Sequence, residues 1–171
     1  IPVKTEVPQA NQRYFDFFHE HLGMVPNLYA ALAYSKNALD TFYKFQIRKS
    51  SLSKRELEAL ALLIAQENES EYCLNTHRMS AGLNDFSEEE ILQLRQGMAP
   101  FNENLDALVR LVKGVMVSKG KTDMLLLKHF FEAGYNKENL IDAFLALSEN
   151  FMSNFTAKAL CIPVDFPSEG I

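Results

Sequence analysis

Ser53-Lys54-Arg55-Glu56-Leu57-Glu58-Ala59-Leu60 leads through an Ala, Leu and Ile run to Ser70-Glu71-Tyr72-Cys73-Leu74-Asn75-Thr76-His77. The first four residues form a capping box, in which the Ser53 and Glu56 side chains each satisfy a free backbone donor. They open a strong helix that reaches about Asn68. Ser70 then stands as the N-cap of the next helix, to about Ala81, with Gly82 as its stop. Two helices joined by a very short turn pack side by side. That sets the tone for a chain whose pattern is helical almost throughout.

Working outward, the remaining punctuation fits the same class. The 7 glycines and 6 prolines fall mainly at junctions. No stretch shows the alternation of a strand. Residues 1–9, with Pro2 and Pro8, read as an extended arm. Helices follow over about Asn11–Leu22, from an Asn27 cap to Tyr34, and over Asn37–Lys49. A second capping box, Ser87-Glu88-Glu89-Glu90, opens a short helix ending at Gly97. Asn102–Lys119, Thr122–Ala133 and Lys137–Leu160 complete the set, and residues 162–171 form an irregular tail. The expectation is one all-α domain over residues 1–171 with about nine helices. Arm and tail are too apolar to stay in solvent and are expected to pack on the body or on a partner subunit.

Composition narrows the function. The chain has 171 residues, 47% hydrophobic, enough for a real core. Its 22 acidic and 17 basic residues leave a net charge of -5, which argues against nucleic acid. The one basic cluster, Arg48-Lys49 and Lys54-Arg55, reads as solvated surface. No apolar run is long enough to span a membrane, and no signal peptide is legible. Two distant cysteines, Cys73 and Cys161, do not make a disulfide framework. They suit a reducing compartment, so a cytoplasmic location is expected.

Cys73 and His77 lie one turn apart on one helix face. A thiol beside an imidazole is a candidate nucleophile with its base. With Ser70 as N-cap, Cys73 falls in the first turn, where free N–H groups and the helix dipole favour a thiolate. Glu58, on the preceding helix, is a candidate third member that orients His77. Glu69 and Glu71 oppose thiolate formation and are expected to face solvent. The plainer alternative is a cysteine that only packs. A metal site is not expected. Cys73, His77 and one carboxylate lack a fourth ligand at suitable spacing, and His19 and His21 diverge on their helix.

Asn68-Glu69-Ser70-Glu71-Tyr72-Cys73-Leu74-Asn75-Thr76-His77 resembles the signature of the alkylhydroperoxidase D-like, or carboxymuconolactone decarboxylase, family. That signature is Cys-x-x-Cys-x-x-x-His, with Tyr before the second Cys and a glutamate upstream. Val25-Pro26-Asn27-Leu28-Tyr29, Ala133-Gly134-Tyr135, Asn154-Phe155 and Asp165-Phe166-Pro167 resemble further segments of its peroxidase-related branch. The late segment departs from the pattern, with Ala157-Lys158 where an Asn and a His are expected. The resemblance implies an all-α fold assembling as dimers, trimers or hexamers. It implies a thiol peroxidase without cofactor, acting on a small hydroperoxide and recharged by an external thiol or reductase. Cys73 is then the attacking thiol and His77 with Glu58 its relay, Glu56 being the rival glutamate already engaged in its cap.

Ser70 stands where the family's partner cysteine belongs. Three ways of closing the cycle stay open. An external thiol reduces the oxidised Cys73, Cys161 resolves it from a distance, or Ser70 replaces a cysteine to trap one state. Two other readings remain: a decarboxylase-like acid–base enzyme using His77 and Glu58, and a non-catalytic redox sensor or oligomeric scaffold. The Phe and Tyr content around the site points to a small or apolar substrate.

Overall fold

In this computed structural model residues 1–165 are described. A 3-10 turn at Lys4–Glu6 precedes nine α-helices among the described residues. They are α1 (Gln9–Leu22), α2 (Asn27–Leu32), α3 (Ala38–Gln46), α4 (Lys54–Glu67), α5 (Glu71–Leu83), α6 (Glu88–Arg95), α7 (Glu103–Val117), α8 (Met124–Glu132) and α9 (Lys137–Ala159). No strand occurs among these residues.

The core is organised around α4. Its residues Ala59 to Ala65 are all buried, as expected of a helical stretch that is apolar on every side. It packs against α5, α6, α7 and α9. Both expected capping boxes form. Ser53 Oγ accepts from the Glu56 N–H and Ser87 Oγ from the Glu90 N–H, while each glutamate reaches back to its serine's N–H. Gly23, at φ 73°, closes α1 in the left-handed conformation that glycine adopts without steric cost.

Several local expectations need correction. The arm is not extended throughout: it turns at Lys4–Glu6, α1 starts at Gln9, and Val7 is buried. Asn27 is not the cap of α2 but its first residue. The carboxylate of Asp165, far along the chain, accepts from the Asn27 N–H at 3.0 Å and from the Tyr72 hydroxyl. The helix ends at Leu32 rather than Tyr34. Gly82 does not stop α5, which continues to Leu83. The basic cluster is only partly solvated. Arg48 is largely buried, pairing with Glu149 at 3.0 Å, and Arg55 stacks 3.8 Å over the Phe86 ring. The expected tail segment Phe166-Pro167 lies outside the described residues.

The turn between α4 and α5 sets the site. The Ser70 N–H donates to Ala65 O at 2.9 Å and the Glu69 N–H to Gln66 O at 3.0 Å, the two bonds of a Schellman motif. Glu69 takes the left-handed position, φ 52°, where glycine is usual. This closure draws Ser70 fully into the interior.

Candidate active site

Ser70 is the N-cap of α5 in backbone terms, but its hydroxyl caps nothing. That corrects the expected capping role. The Ser70 side chain is instead buried beside Cys73, and its oxygen has no well-formed hydrogen bond among the described residues. Cys73 occupies the third position of α5 and is 3% exposed. Burial pushes the thiol above its ordinary pKa. The hydroxyls of Ser70 and, from α9, Ser153 pull it part of the way back. The expected first-turn advantage for a thiolate is therefore outweighed by desolvation. Glu69 and Glu71 point to solvent as expected.

His77 follows one turn later. Its Nδ1 lies 2.7 Å from Glu58 Oε1. The second oxygen of Glu58 accepts from the Ser80 hydroxyl at 2.8 Å. Glu58 is thus anchored from both sides and orients the ring through Nδ1, which leaves Nε2 as the free ring nitrogen. Glu56 is engaged elsewhere, in its capping box and with the Tyr135 hydroxyl at 2.5 Å.

Cys73 and His77 line one cavity of about 320 Å³. Leu28, Tyr29, Tyr72 and Met79 form its apolar wall, and Gln46, His77 and Glu149 its polar end. A neighbouring cavity of about 160 Å³ lies beyond that end, lined by Arg48, Glu58, His77 and Glu149 among others. Tyr29 is held by its hydroxyl on Gln46 and by stacking on Phe18 at 4.6 Å. Cys161 is exposed, does not line the larger cavity and is not disulfide-bonded to Cys73. No group of three metal-ligating side chains occurs among the described residues.

The sequence thus brings Cys73, His77, Glu58 and Ser70 to one place. Gln46, Arg48, Glu149 and Ser153 were not among the residues expected at the site. The signal for the last two was present as Ser148-Glu149-Asn150 and Ser153-Asn154, polar groups recurring at helical spacing inside an otherwise apolar α9.

Residues 33–113 match the carboxymuconolactone decarboxylase family. That span contains Glu58, Ser70, Cys73 and His77 but not Glu149. No curated protein matches the chain. Solved structures do. A peroxidase-related protein from Silicibacter sp. TM1040 is 23% identical, with a TM-score of 0.80 over 92% of this chain and 85% of its own. A peroxidase-related protein with an alkylhydroperoxidase AhpD core, from Ralstonia eutropha JMP134, is 16% identical, with a TM-score of 0.86 over 96% of this chain and 90% of its own. The debrominase Bmp8 is 15% identical, with a TM-score of 0.76 over 96% and 90%. No helix among the described residues is long and apolar enough to cross a membrane. The segment that carries the thiol, the imidazole and Glu58 is thus similar to the carboxymuconolactone decarboxylase family, and the chain shares its all-α fold with these solved structures.

Proposed function

We propose that the protein is a thiol-dependent hydroperoxidase acting through Cys73, with His77 and Glu58 as its proton relay. One observation carries this reading: the Glu58 carboxylate holds His77 at 2.7 Å, and His77 lines the same cavity as the Cys73 thiol. A base so oriented takes the proton of a thiol that burial keeps neutral. The sulfur then attacks a peroxide oxygen. The S–O bond forms as the O–O bond breaks, giving a sulfenic acid and an alcohol.

Ser70, in the place of the family's partner cysteine, has no thiol to condense with the sulfenic acid. The cycle closes with an external thiol, which forms a mixed disulfide with loss of water; a second thiol then releases Cys73. The apolar wall of Leu28, Tyr29, Tyr72 and Met79 favours a small alkyl or aryl hydroperoxide. The two free cysteines favour a reducing compartment, here read as the cytoplasm. Exposed Val117, Met124 and Leu125 favour a homo-oligomer.

The test treats the reduced protein with cumene hydroperoxide in the presence of dimedone and maps the adduct by peptide mass spectrometry. A rapid adduct on Cys73, with Cys161 unlabelled, is expected. Labelling of Cys161 alone overturns the reading.

A second reading follows from the likeness to Bmp8, whose cysteine-to-alanine variant has been crystallised with 2,3,4-tribromopyrrole. An aromatic-walled cavity ending in a thiol also suits a bromoarene. Bromide release from a brominated pyrrole, without peroxide turnover, would favour it.

A further inference from the structure

Glu149 is a largely buried carboxyl group that the relay leaves unused. It sits on α9 at the wall shared by the two cavities, beside Gln46 and His77. Ser153, one turn further along the same face, approaches the Cys73 thiol. Two pairs therefore face each other across the cavity. On α5, Cys73 and His77 are spaced i,i+4, and on α9 so are Ser153 and Glu149. Ser153 stands against the thiol and Glu149 near the imidazole. The rise of a helix turn offsets Glu149 from the thiol end by about 6 Å along the cavity.

The surroundings suit a carboxyl that changes protonation. Its side chain is 14% exposed. Oε2 accepts from Arg48 Nη1 at 3.0 Å, and Arg48 is itself held by Phe45 O at 2.8 Å and by the Phe45 ring. Burial is the strongest influence and raises the pKa above that of an ordinary glutamate. Arg48, His77 and Gln46 pull the other way without reversing it. The acid form is accordingly more accessible than a buried arginine pair alone would allow.

We infer that Glu149 supplies the proton to the leaving oxygen of the hydroperoxide. This rests on the hydroperoxidase reading above and assigns a role to the opposite wall of the same site. As the Cys73 thiolate forms its bond to the terminal oxygen, the O–O electron pair departs on the alkoxide. The Glu149 carboxyl gives its proton to that oxygen, and an alcohol results. The thiol proton, held meanwhile on His77 Nε2, restores Glu149. The sum is thiol plus hydroperoxide giving sulfenic acid plus alcohol, with no proton gained or lost. Attack and departure are thus served by different helices, which keeps base and acid separate.

The nature of the leaving group tests this. An alkyl hydroperoxide expels a strongly basic alkoxide and needs an acid, whereas a peracid expels a weakly basic carboxylate and does not. Stopped-flow rates of Cys73 oxidation by cumene hydroperoxide and by peracetic acid are compared for the full chain and Glu149→Gln. The variant is expected to lose about 10²-fold with cumene hydroperoxide, the scale of general acid assistance, and no more than a few-fold with peracetic acid. Equal losses with both oxidants, as a merely structural role produces, overturn the inference; so does no loss with either. If Glu149→Gln does not fold, the solvent isotope effect of the unaltered protein decides. It is expected to be larger with cumene hydroperoxide than with peracetic acid, and equal values overturn the inference. An unaltered Cys73 inert to both oxidants fails the hydroperoxidase reading itself, before any variant is considered.

Discussion

Around α4, α6 and α7 the buried residues are mostly branched aliphatics, among them Leu60, Leu63, Ile64, Ile91, Leu94, Leu108, Val109 and Leu111, nearly all with no exposed surface. Around α1, α2, α3 and the start of α5 they are mostly rings and alanines, among them Tyr14, Phe15, Phe18, Phe42, Tyr72, Ala30, Ala31 and Ala33, with Leu28, Leu32 and Leu39 between them. Branched aliphatic chains interdigitate and fill space. Flat rings fixed by stacking and by hydroxyl hydrogen bonds leave slots between their faces. The larger site cavity lies on the aromatic side, with Leu28, Tyr29 and Tyr72 in its wall. One part of the core therefore holds the fold, and the other trades close packing for a place to bind. α4 serves both, with Leu60, Leu62, Leu63 and Ile64 on the first side and Ala65 on the second.

The largest expected effect that tests this division lies at the thiol. Cys73→Ser should abolish peroxide reduction while urea unfolding stays close to that of the unaltered protein. His77→Ala or Glu58→Gln should cut the rate by about 10²-fold. A full rate in any of these three separates the aromatic-side cavity from the chemistry.

A raised thiol pKa gives the next effect. Alkylation of Cys73 by iodoacetamide should climb about tenfold per pH unit while the thiol is mostly protonated, and should keep climbing beyond the ordinary thiol value of 9.0. Ser70→Ala, which removes one of the hydroxyls that lower this pKa, should slow alkylation at neutral pH. A plateau below neutrality would mean that the helix terminus and His77 outweigh burial after all.

Stability should separate the two regions next. Leu63→Ala, in the tightly filled part, should cost about 2–5 kcal/mol in urea unfolding, with Cys73 reactivity of the folded protein unchanged. Leu28→Ala enlarges a space that already exists, so its cost should fall near the lower end, about 2 kcal/mol. It should instead alter KM for bulky hydroperoxides. Equal stability costs and equal kinetics for the two would erase the contrast.

The smallest effect is expected at the turn that buries Ser70. Glu69→Gly relieves a left-handed residue and should stabilise by about 1 kcal/mol, measured by urea unfolding. Destabilisation would mean that the Glu69 side chain, 3.8 Å from Lys158 Nζ, holds the turn more firmly than its backbone strains it.

Helices, most of their order and the thiol–imidazole spacing were legible because they are local. Capping boxes at Ser53 and Ser87, glycine at Gly23, and the i,i+4 relation of Cys73 to His77 depend on residues within a turn or two of each other. Even there a distant group overrides the local pattern. Asn27 is the natural cap by sequence, yet Asp165 supplies the capping carboxylate and Tyr72 links it to α5. Ser70 has the composition of a cap, yet the Schellman closure after α4 turns it inward.

The sequence by itself determined an all-α chain and the placing of Cys73, His77 and Glu58 on adjoining helices, because periodicity and capping act over a few residues. Only the tertiary structure decided that Glu58 meets His77, that Arg48 and Glu149 leave the surface to line the site, and that burial raises the Cys73 thiol. Desolvation and long-range pairing depend on which elements pack together, and no local pattern encodes that.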